Sequence, residues 1–287
     1  MRRTDPTCAG RIRHFIKPSE ILLREVAYAK PASLAEALDI LAADDGARAL
    51  AGGQTLINVM KARAGSPDTL VDLNGLDDLK GIELGSDGTL EIGAMTTYTE
   101  IMASSEARAR PILGEVCAQI ADVQVRNRGT IGGNVCTNDP TNHLPPLLAA
   151  LGAQFTIAGG GDERTVSSDD FFLGVYLTAV GTGELLTKII IPAGRNDGFA
   201  AVTLGVEGTC IASAAASLNG SARIALGCVD AVPVVLTPSS DDADAVKQAV
   251  RDANLDPPSD VHASSDYRRH LAEVLAVRAV DQARGAA

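Results

Sequence analysis

The chain has 287 residues, 46% of them apolar and none tryptophan, with a formal net charge of −11 at pH 7. That length allows roughly two domains of about 150 residues each, and the acidic balance argues against a nucleic-acid partner, which calls for a basic face. No apolar run reaches the roughly 18 residues that a membrane-spanning helix needs.

The opening stretch, Met1 to Lys17, sets Arg2, Arg3, Arg11, Arg13 and Lys17 against Asp5 and lacks the apolar core of an export signal, so 1–19 reads as a flexible arm. Ser33 followed by Glu36 is a capping box, and Leu34, Leu38, Leu41 and Ala42 recur at helical spacing, which predicts a helix from Leu34 to Ala43. An apolar strand, Ala47 to Ala51, runs into Gly52-Gly53; Leu56, Val59, Met60 and Arg63 then give a helical turn or two, and Thr69 to Leu73 returns as a strand. Residues 20–74 therefore read as a first small α/β unit.

A second unit, 75–195, opens with a hairpin from Leu84 to Leu90–Ala94 across Ser86-Asp87-Gly88. Helical runs follow at Thr97–Ala103 and Ile112–Ile120, and the chain then reaches a second glycine pair, Gly132-Gly133. A helix begins at Pro145, and Gln154–Ile157 and Thr165–Ser167 form a hairpin around Gly159-Gly160-Gly161-Asp162. The Gly194-Arg195-Asn196-Asp197-Gly198 segment marks a boundary, after which 196–287 reads as strands at Ala200–Val206, Ile211–Leu218 and Ala222–Val229, with Asn219-Gly220 as a hairpin turn. Two helices close the chain, the last starting near Ser265 with Leu271, Val274, Leu275 and Ala279 on one face.

The chemistry-bearing features are the two glycine pairs, Ala51-Gly52-Gly53-Gln54-Thr55 and Thr130-Ile131-Gly132-Gly133-Asn134, about eighty residues apart. Both are read as loops at the ends of strand-like runs. Glycine lets the backbone turn its N–H groups onto an anion, and two such loops converge naturally on an extended phosphorylated cofactor. With a net negative chain, local N–H groups must attract such a ligand. Cys8, Cys117, Cys136, Cys210 and Cys228 show no C-x-x-C spacing, which points to free thiols in a reducing compartment and to no iron–sulfur cluster on this chain. Cys136 is read as a buried, inert thiol. His14, His143, His262 and His270 are not at metal-ligand spacing, and no nucleophile elbow or acid–base constellation is present. Such a chain suits electron transfer, in which a cofactor carries the chemistry.

From about Glu25 to Ala283 the chain resembles the FAD-binding medium subunit of heterotrimeric molybdenum hydroxylases, a family that includes the carbon monoxide dehydrogenase medium subunit and the xanthine dehydrogenase flavin domain. The resemblance rests on Ala51–Ile57, on Arg126-Asn127-Arg128-Gly129 leading into Thr130–Asn134, on Glu184-Leu185-Leu186-Thr187 ahead of Ile191-Pro192, and on Tyr267-Arg268-Arg269-His270-Leu271-Ala272. It implies an α+β fold of two small α/β FAD-binding subdomains followed by a C-terminal antiparallel sheet with helices. It implies FAD in this chain, with Ala51, Gly52, Gly53, Gln54, Thr55, Leu56 and Ile57 and Thr130, Ile131, Gly132, Gly133 and Asn134 around the diphosphate and ribityl region. Leu185 and Ile120 would contact the adenine or flavin rings.

The implied partners are a large subunit holding the molybdenum cofactor and a small subunit holding two 2Fe-2S clusters, paired as a dimer of heterotrimers in the cytoplasm. The chain would relay electrons from those clusters through FAD to an external acceptor and would not oxidise substrate alone. Two alternatives stay open: a stand-alone NAD(P)H-dependent flavin reductase, and a flavin-free scaffold subunit. Three positions depart from the family pattern. His143 stands where a carboxylate is usual, and either bonds a ribose hydroxyl or caps the helix at Pro145. The region around Thr203 lacks the usual basic residues, and Cys210 replaces a bulkier residue, leaving the flavin face more open.

Overall fold

In the computed structural model, residues 23–205 and 208–285 are described. The basic arm with Cys8 and His14, and the strand end expected at Val206, lie outside them.

Around the first glycine pair, β1 (Ala27–Ala29), α1 (Leu34–Ala43), β2 (Ala47–Leu50), α2 (Leu56–Lys61) and β3 (Thr69–Asp72) form a parallel sheet in the order β1-β3-β2. The start of α1 is half of the expected capping box. Ser33 Oγ accepts from Glu36 N at 3.2 Å, but the Glu36 carboxylate reaches past Ser33 to the Ala32 N–H at 2.7 Å. Ala37 and Leu41 turn inward onto Val71, Leu73 and Leu79, with Met95 and Leu185 closing this core from later in the chain.

The second sheet is wholly antiparallel. It contains β4 (Ile82–Leu84), β5 (Leu90–Gly93), β6 (Gln154–Gly159), β7 (Asp162–Ser167) and, in its centre, β10 (Leu185–Ile191), in the order β4-β5-β10-β6-β7. Around it lie α3 (Tyr98–Ala103), α4 (Ile112–Ala118), α5 (Val123–Arg126), α6 (Ile131–Thr137), α7 (Leu144–Ala150) and α8 (Ser168–Phe171). A short hairpin, β8 (Phe172–Gly174) with β9 (Leu177–Thr178), stands apart. Fully buried Ile92, Ile157, Ile189 and Ile191 form the inner face of the sheet, and Phe155 stacks on Phe171 with ring centroids 3.9 Å apart. The turn between β6 and β7 places Gly160 and Gly161 at φ +63° and +92°, as a two-residue hairpin requires.

The third sheet is an antiparallel meander of β11 (Asp197–Leu204), β12 (Thr209–Ser217), β13 (Arg223–Gly227) and β14 (Val234–Leu236). It carries α9 (Ala243–Asp252) and α10 (Ser265–Ala283). β12 is buried on both faces. Ala212, Ala214 and Ala216 belong to the core with α10, whereas Ala215 joins the core that includes α7. Helix α10 presses so closely on β11 that a Cβ at Gly198 would overlap the Ala279 carbonyl oxygen. The buried face of α10 runs through Leu271, Ala272, Leu275, Ala276 and Ala279, and Val274, expected on that face, is only half-buried because the helix is rotated towards its alanines. Ser264 caps the helix, accepting from Tyr267 N at 3.2 Å. Ser264→Ala is expected to cost about 1 kcal/mol in urea unfolding, and an unchanged midpoint would show that tertiary packing alone sets this helix start.

The fold is thus mixed, with α and β segregated as the α+β reading expects. No helix among the described residues is long and apolar enough to cross a membrane.

Candidate functional site

The two glycine pairs face each other across a cleft of about 530 Å³, within the size range of cofactor sites. One wall is the end of β2 and the 51–56 segment. The other contains 94–98, 129–137 and Asn142, and the 176–186 segment completes the rim. The walls touch at Gly52, where a Cβ would overlap the Arg128 carbonyl oxygen, and within the second wall a Cβ on Gly132 would come within 2.6 Å of both Ala94 Cβ and Ala94 O. In the first pair only Gly53 needs positive φ, at +71°.

The two glycine segments differ in what they offer a ligand. The N–H groups of Gly52, Gly53, Gln54, Thr55 and Leu56 donate to no acceptor among the described residues, and Thr55 provides no side-chain cap for α2. These are the unsatisfied donors of a helix start. The second segment is not the loop that the sequence reading expects. Helix α5 precedes it, Thr130 is the N-cap of α6, and Gly132 and Gly133 lie in the first turn. Its N–H groups are taken: Ile131 by Thr96 O at 3.0 Å, Gly132 by Ala94 O at 2.9 Å, Gly133 by Thr130 Oγ at 3.1 Å and Asn134 by Thr130 O at 3.1 Å. The glycines of this segment serve close packing, and its polar contribution to the cleft comes from side chains. Asn134 donates from Nδ2 to Tyr98 Oη at 3.0 Å, while its buried Oδ1 has no partner among the described residues. Burial pushes the Tyr98 phenol well above its ordinary range, so it stays neutral.

Of the site residues read from sequence, Ala51, Gly52, Gly53, Gln54, Thr55, Leu56, Thr130, Gly132, Gly133, Asn134 and Leu185 line the cleft. Ile57 lies behind Gly53, with its Cγ1 3.1 Å from where a Cβ there would sit. Ile131 is fully buried in the central core, and Ile120 packs against that core away from the cleft. His143 is 5% exposed, stands at the N-cap position of α7 without a capping hydrogen bond, and packs on Phe199 with centroids 5.2 Å apart. The capping alternative for His143 therefore does not hold. Cys210 is also buried, at 1% exposure, and does not open a face of the cleft. Cys136 lines the cleft, but burial pushes its thiol up to about 12, which fits an inert group.

Sequence reading missed Arg48, Tyr98 and the 176–183 rim. Tyr176 is at φ +56° and donates to Asp139 Oδ2 at 3.1 Å, while the buried Asn138 amide holds this segment through Gly174 O at 2.7 Å and Leu177 O at 3.2 Å.

At the rim, Glu184 pairs with Arg164 and accepts from Gly181 N at 2.7 Å. The Arg164 hydrogen bond, joined by the Gly181 N–H, holds this carboxyl below its ordinary value of 4.5. The sign follows from that depression. The pair stabilises the fold above the ordinary value, and the contribution is lost as pH falls through the lowered one. Glu184→Gln is expected to cost at most about 1 kcal/mol at neutral pH, because the Arg164 side chain is half-exposed, and urea curves of variant and wild type should converge as pH falls through the lowered value. A gap that persists in acid would exclude the ion pair as its cause.

Between residues 24 and 194 the chain matches the family described as FAD binding domain in molybdopterin dehydrogenase. The chain belongs to that family. It is 36% identical to the carbon monoxide dehydrogenase medium chain of Afipia carboxidovorans, over 91% of this chain and 97% of the relative. Its identity to the glyceraldehyde dehydrogenase medium chain of Sulfolobus acidocaldarius is 33%, over 89% of this chain and 97% of that one. The structure of reconstituted CO dehydrogenase from Oligotropha carboxidovorans superposes with a TM-score of 0.86 at 35% identity, covering 93% of this chain and all of the other. The FAD-binding medium subunit seen here is thus an oxidoreductase subunit of the molybdenum hydroxylase family. The cleft fits the cofactor: it has N–H groups without acceptors among the described residues for phosphate oxygens, an unpartnered acceptor on Asn134, and a volume in the range of cofactor sites.

Proposed function

We propose that this subunit relays electrons from iron–sulfur clusters on a partner through FAD to an external acceptor, as one of three subunits of a molybdenum hydroxylase. The bound flavin supplies the exchange between single-electron carriers and two-electron acceptors. The observation that carries the reading is the row of N–H groups from Gly52 to Leu56, without acceptors among the described residues, on a segment that lines the cleft, which suits a diphosphate. Asn134 and Thr137 would face the sugar portion, and Leu185 would give an apolar contact for a ring. The cleft would lie between units 20–74 and 75–195, and unit 196–287 would pack beside them. The partners would be a large molybdenum-binding subunit and a small subunit with two 2Fe-2S clusters, in a cytoplasmic dimer of heterotrimers.

No acid, base or nucleophile is asked of this chain. Its residues bind and orient the cofactor, and the paired Glu184 and Arg164 leave the rim close to neutral despite the acidic chain. The test is to strip flavin from the purified complex. Turnover with the external acceptor should stop and return on adding FAD, while substrate still reduces the iron–sulfur clusters. Unimpaired turnover by the stripped complex would overturn the relay.

A further inference from the structure

The segment that carries the first glycine pair is held by its carbonyls. Ala51 O accepts from Asn74 Nδ2 at 3.1 Å, Gly52 O from Gln54 Nε2 at 3.0 Å, Gly53 O from Ile57 N at 3.2 Å, Gln54 O from Asn58 Nδ2 at 2.7 Å and Thr55 O from Val59 N at 2.9 Å. In a trans peptide the carbonyl and the following N–H point in opposite directions. Each claimed carbonyl therefore fixes the aim of the next donor. Those next donors are the N–H groups of Gly52 to Leu56, which have no acceptors among the described residues. Four of the five clamps come from the segment itself and from the start of α2, and only Asn74 reaches in from elsewhere in the chain.

Asn74 is in turn oriented by a carboxylate. β2 and β3 run side by side with Leu50 opposite Asp72, which brings the residues after β3 beside Ala51. Asp72 is 8% exposed, and its Oδ1 accepts from the Asn74 N–H at 3.0 Å and from Asn74 Nδ2 at 2.6 Å, while Oδ2 accepts from the Tyr28 hydroxyl in β1. Burial favours the neutral acid, but the hydrogen bonds from Tyr28 and Asn74 outweigh it and hold the Asp72 carboxyl below its ordinary value, so it stays ionised. An ionised carboxylate can only accept. It turns the nitrogen end of the Asn74 amide towards itself, and the second hydrogen on that nitrogen is left for Ala51 O. A negative charge two hydrogen bonds from Ala51 repels a phosphate bound nearby, so its place there calls for a compensating role.

We propose that Tyr28, Asp72 and Asn74 are positioning residues for the cofactor diphosphate, a relay that ties back the Ala51 carbonyl and so keeps the Gly52 N–H turned to the cleft before the ligand arrives. None of the three lines the cleft, so they act through the backbone of the glycine pair and not by touching the ligand. Donors already aimed bind an anion without a cost of reorganisation. Were the Ala51–Gly52 peptide to flip, a carbonyl oxygen would take the place of the donor and meet the phosphate as a like partial charge. The inference rests on the flavin reading of the cleft.

The test variant is Asn74→Asp, which keeps the shape of the side chain and replaces the donor to Ala51 O with an acceptor. The whole complex is stripped of flavin and titrated with FAD by flavin fluorescence, and amide hydrogen exchange is then read residue by residue at saturating FAD. Wild type should protect the amides from Gly52 to Leu56. In Asn74→Asp, FAD should bind roughly ten- to a hundredfold more weakly, the worth of one hydrogen bond to a charged group. Gly52 should lose its protection, while Gln54, Thr55 and Leu56, whose carbonyl clamps do not involve Asn74, keep theirs. Tyr28→Phe, at a residue 59% exposed where loss of a hydroxyl leaves the fold intact, should weaken FAD by about two- to fivefold. Unchanged FAD affinity in either variant would overturn the positioning role. So would a loss of protection spread evenly from Gly52 to Leu56, which is what a merely structural role produces. A stripped wild-type complex that takes up no FAD would instead overturn the flavin reading, and the relay's role with it.

Discussion

Gly52→Ala is expected to yield a subunit that purifies largely without flavin. The added methyl has nowhere to go, because it would overlap the Arg128 carbonyl oxygen, a backbone atom held by the turn that leads to the α6 cap. One wall of the cleft must move from the other, and overpacking of this kind costs typically 1–3 kcal/mol. If all of that falls on the bound state, flavin affinity drops by roughly fivefold to 150-fold. The measurement is the flavin-to-protein ratio by absorbance, followed by titration of FAD into the variant. Gly53→Ala is a useful contrast. Its methyl meets Ile57 Cγ1 at 3.1 Å and Leu50 Cδ1 at 3.4 Å, both side-chain atoms that can yield, and its burden is the φ of +71°, about 1–2 kcal/mol for an L residue. Full flavin content in Gly52→Ala would show that the walls are not locked at this contact.

Arg110→Ala is expected to be among the most destabilising single changes in the chain, at about 3–5 kcal/mol in urea or thermal unfolding. Arg110 precedes α4 with a side chain only 2% exposed, and it meets Asp197, 1% exposed, through Nε at 2.8 Å and Nη2 at 2.9 Å. It also donates to Pro192 O and, at 3.3 Å, to Ser217 Oγ. One guanidinium therefore ties together the end of β10, the start of β11 and the end of β12. Removing it leaves Asp197 buried with only the Asn219 amide at 2.9 Å. The double change Arg110→Met with Asp197→Leu should recover much of the loss, because apolar groups of similar volume need no partner. A loss under about 1 kcal/mol for Arg110→Ala would mean that water reaches Asp197 freely.

Local signals made α1, the β4–β5 and β6–β7 hairpins and the meander of the third sheet readable, since caps, period and turn residues agree there. β1 and β14 were not readable: each is three residues long and exists because a neighbouring strand offers a ladder. The central place of β10 depends on pairing with β5 and β6, both remote in sequence. The second glycine pair shows how a local signal can mislead. Gly132 looks like a loop glycine, but its reason is Ala94, nearly forty residues earlier, against which a helix must lie. The cleft follows the same pattern. Residues at glycine-marked turns were found, but Arg48, Tyr98 and the 176–183 rim are brought in by tertiary packing.

Where α10 lies on the third sheet, methyl groups and bare backbone set the spacing: Gly198 and Ala212, Ala214 and Ala216 on the sheet, Ala272, Ala276 and Ala279 on the helix. Such a seam leaves little room for drift. Substitution there is expected to be tolerated only for glycine, alanine and serine, whereas the exposed face of the same helix is expected to accept most residues. A saturation library across α10 would return a barcode of permitted and forbidden positions that reports the helix's rotation with no structure in hand.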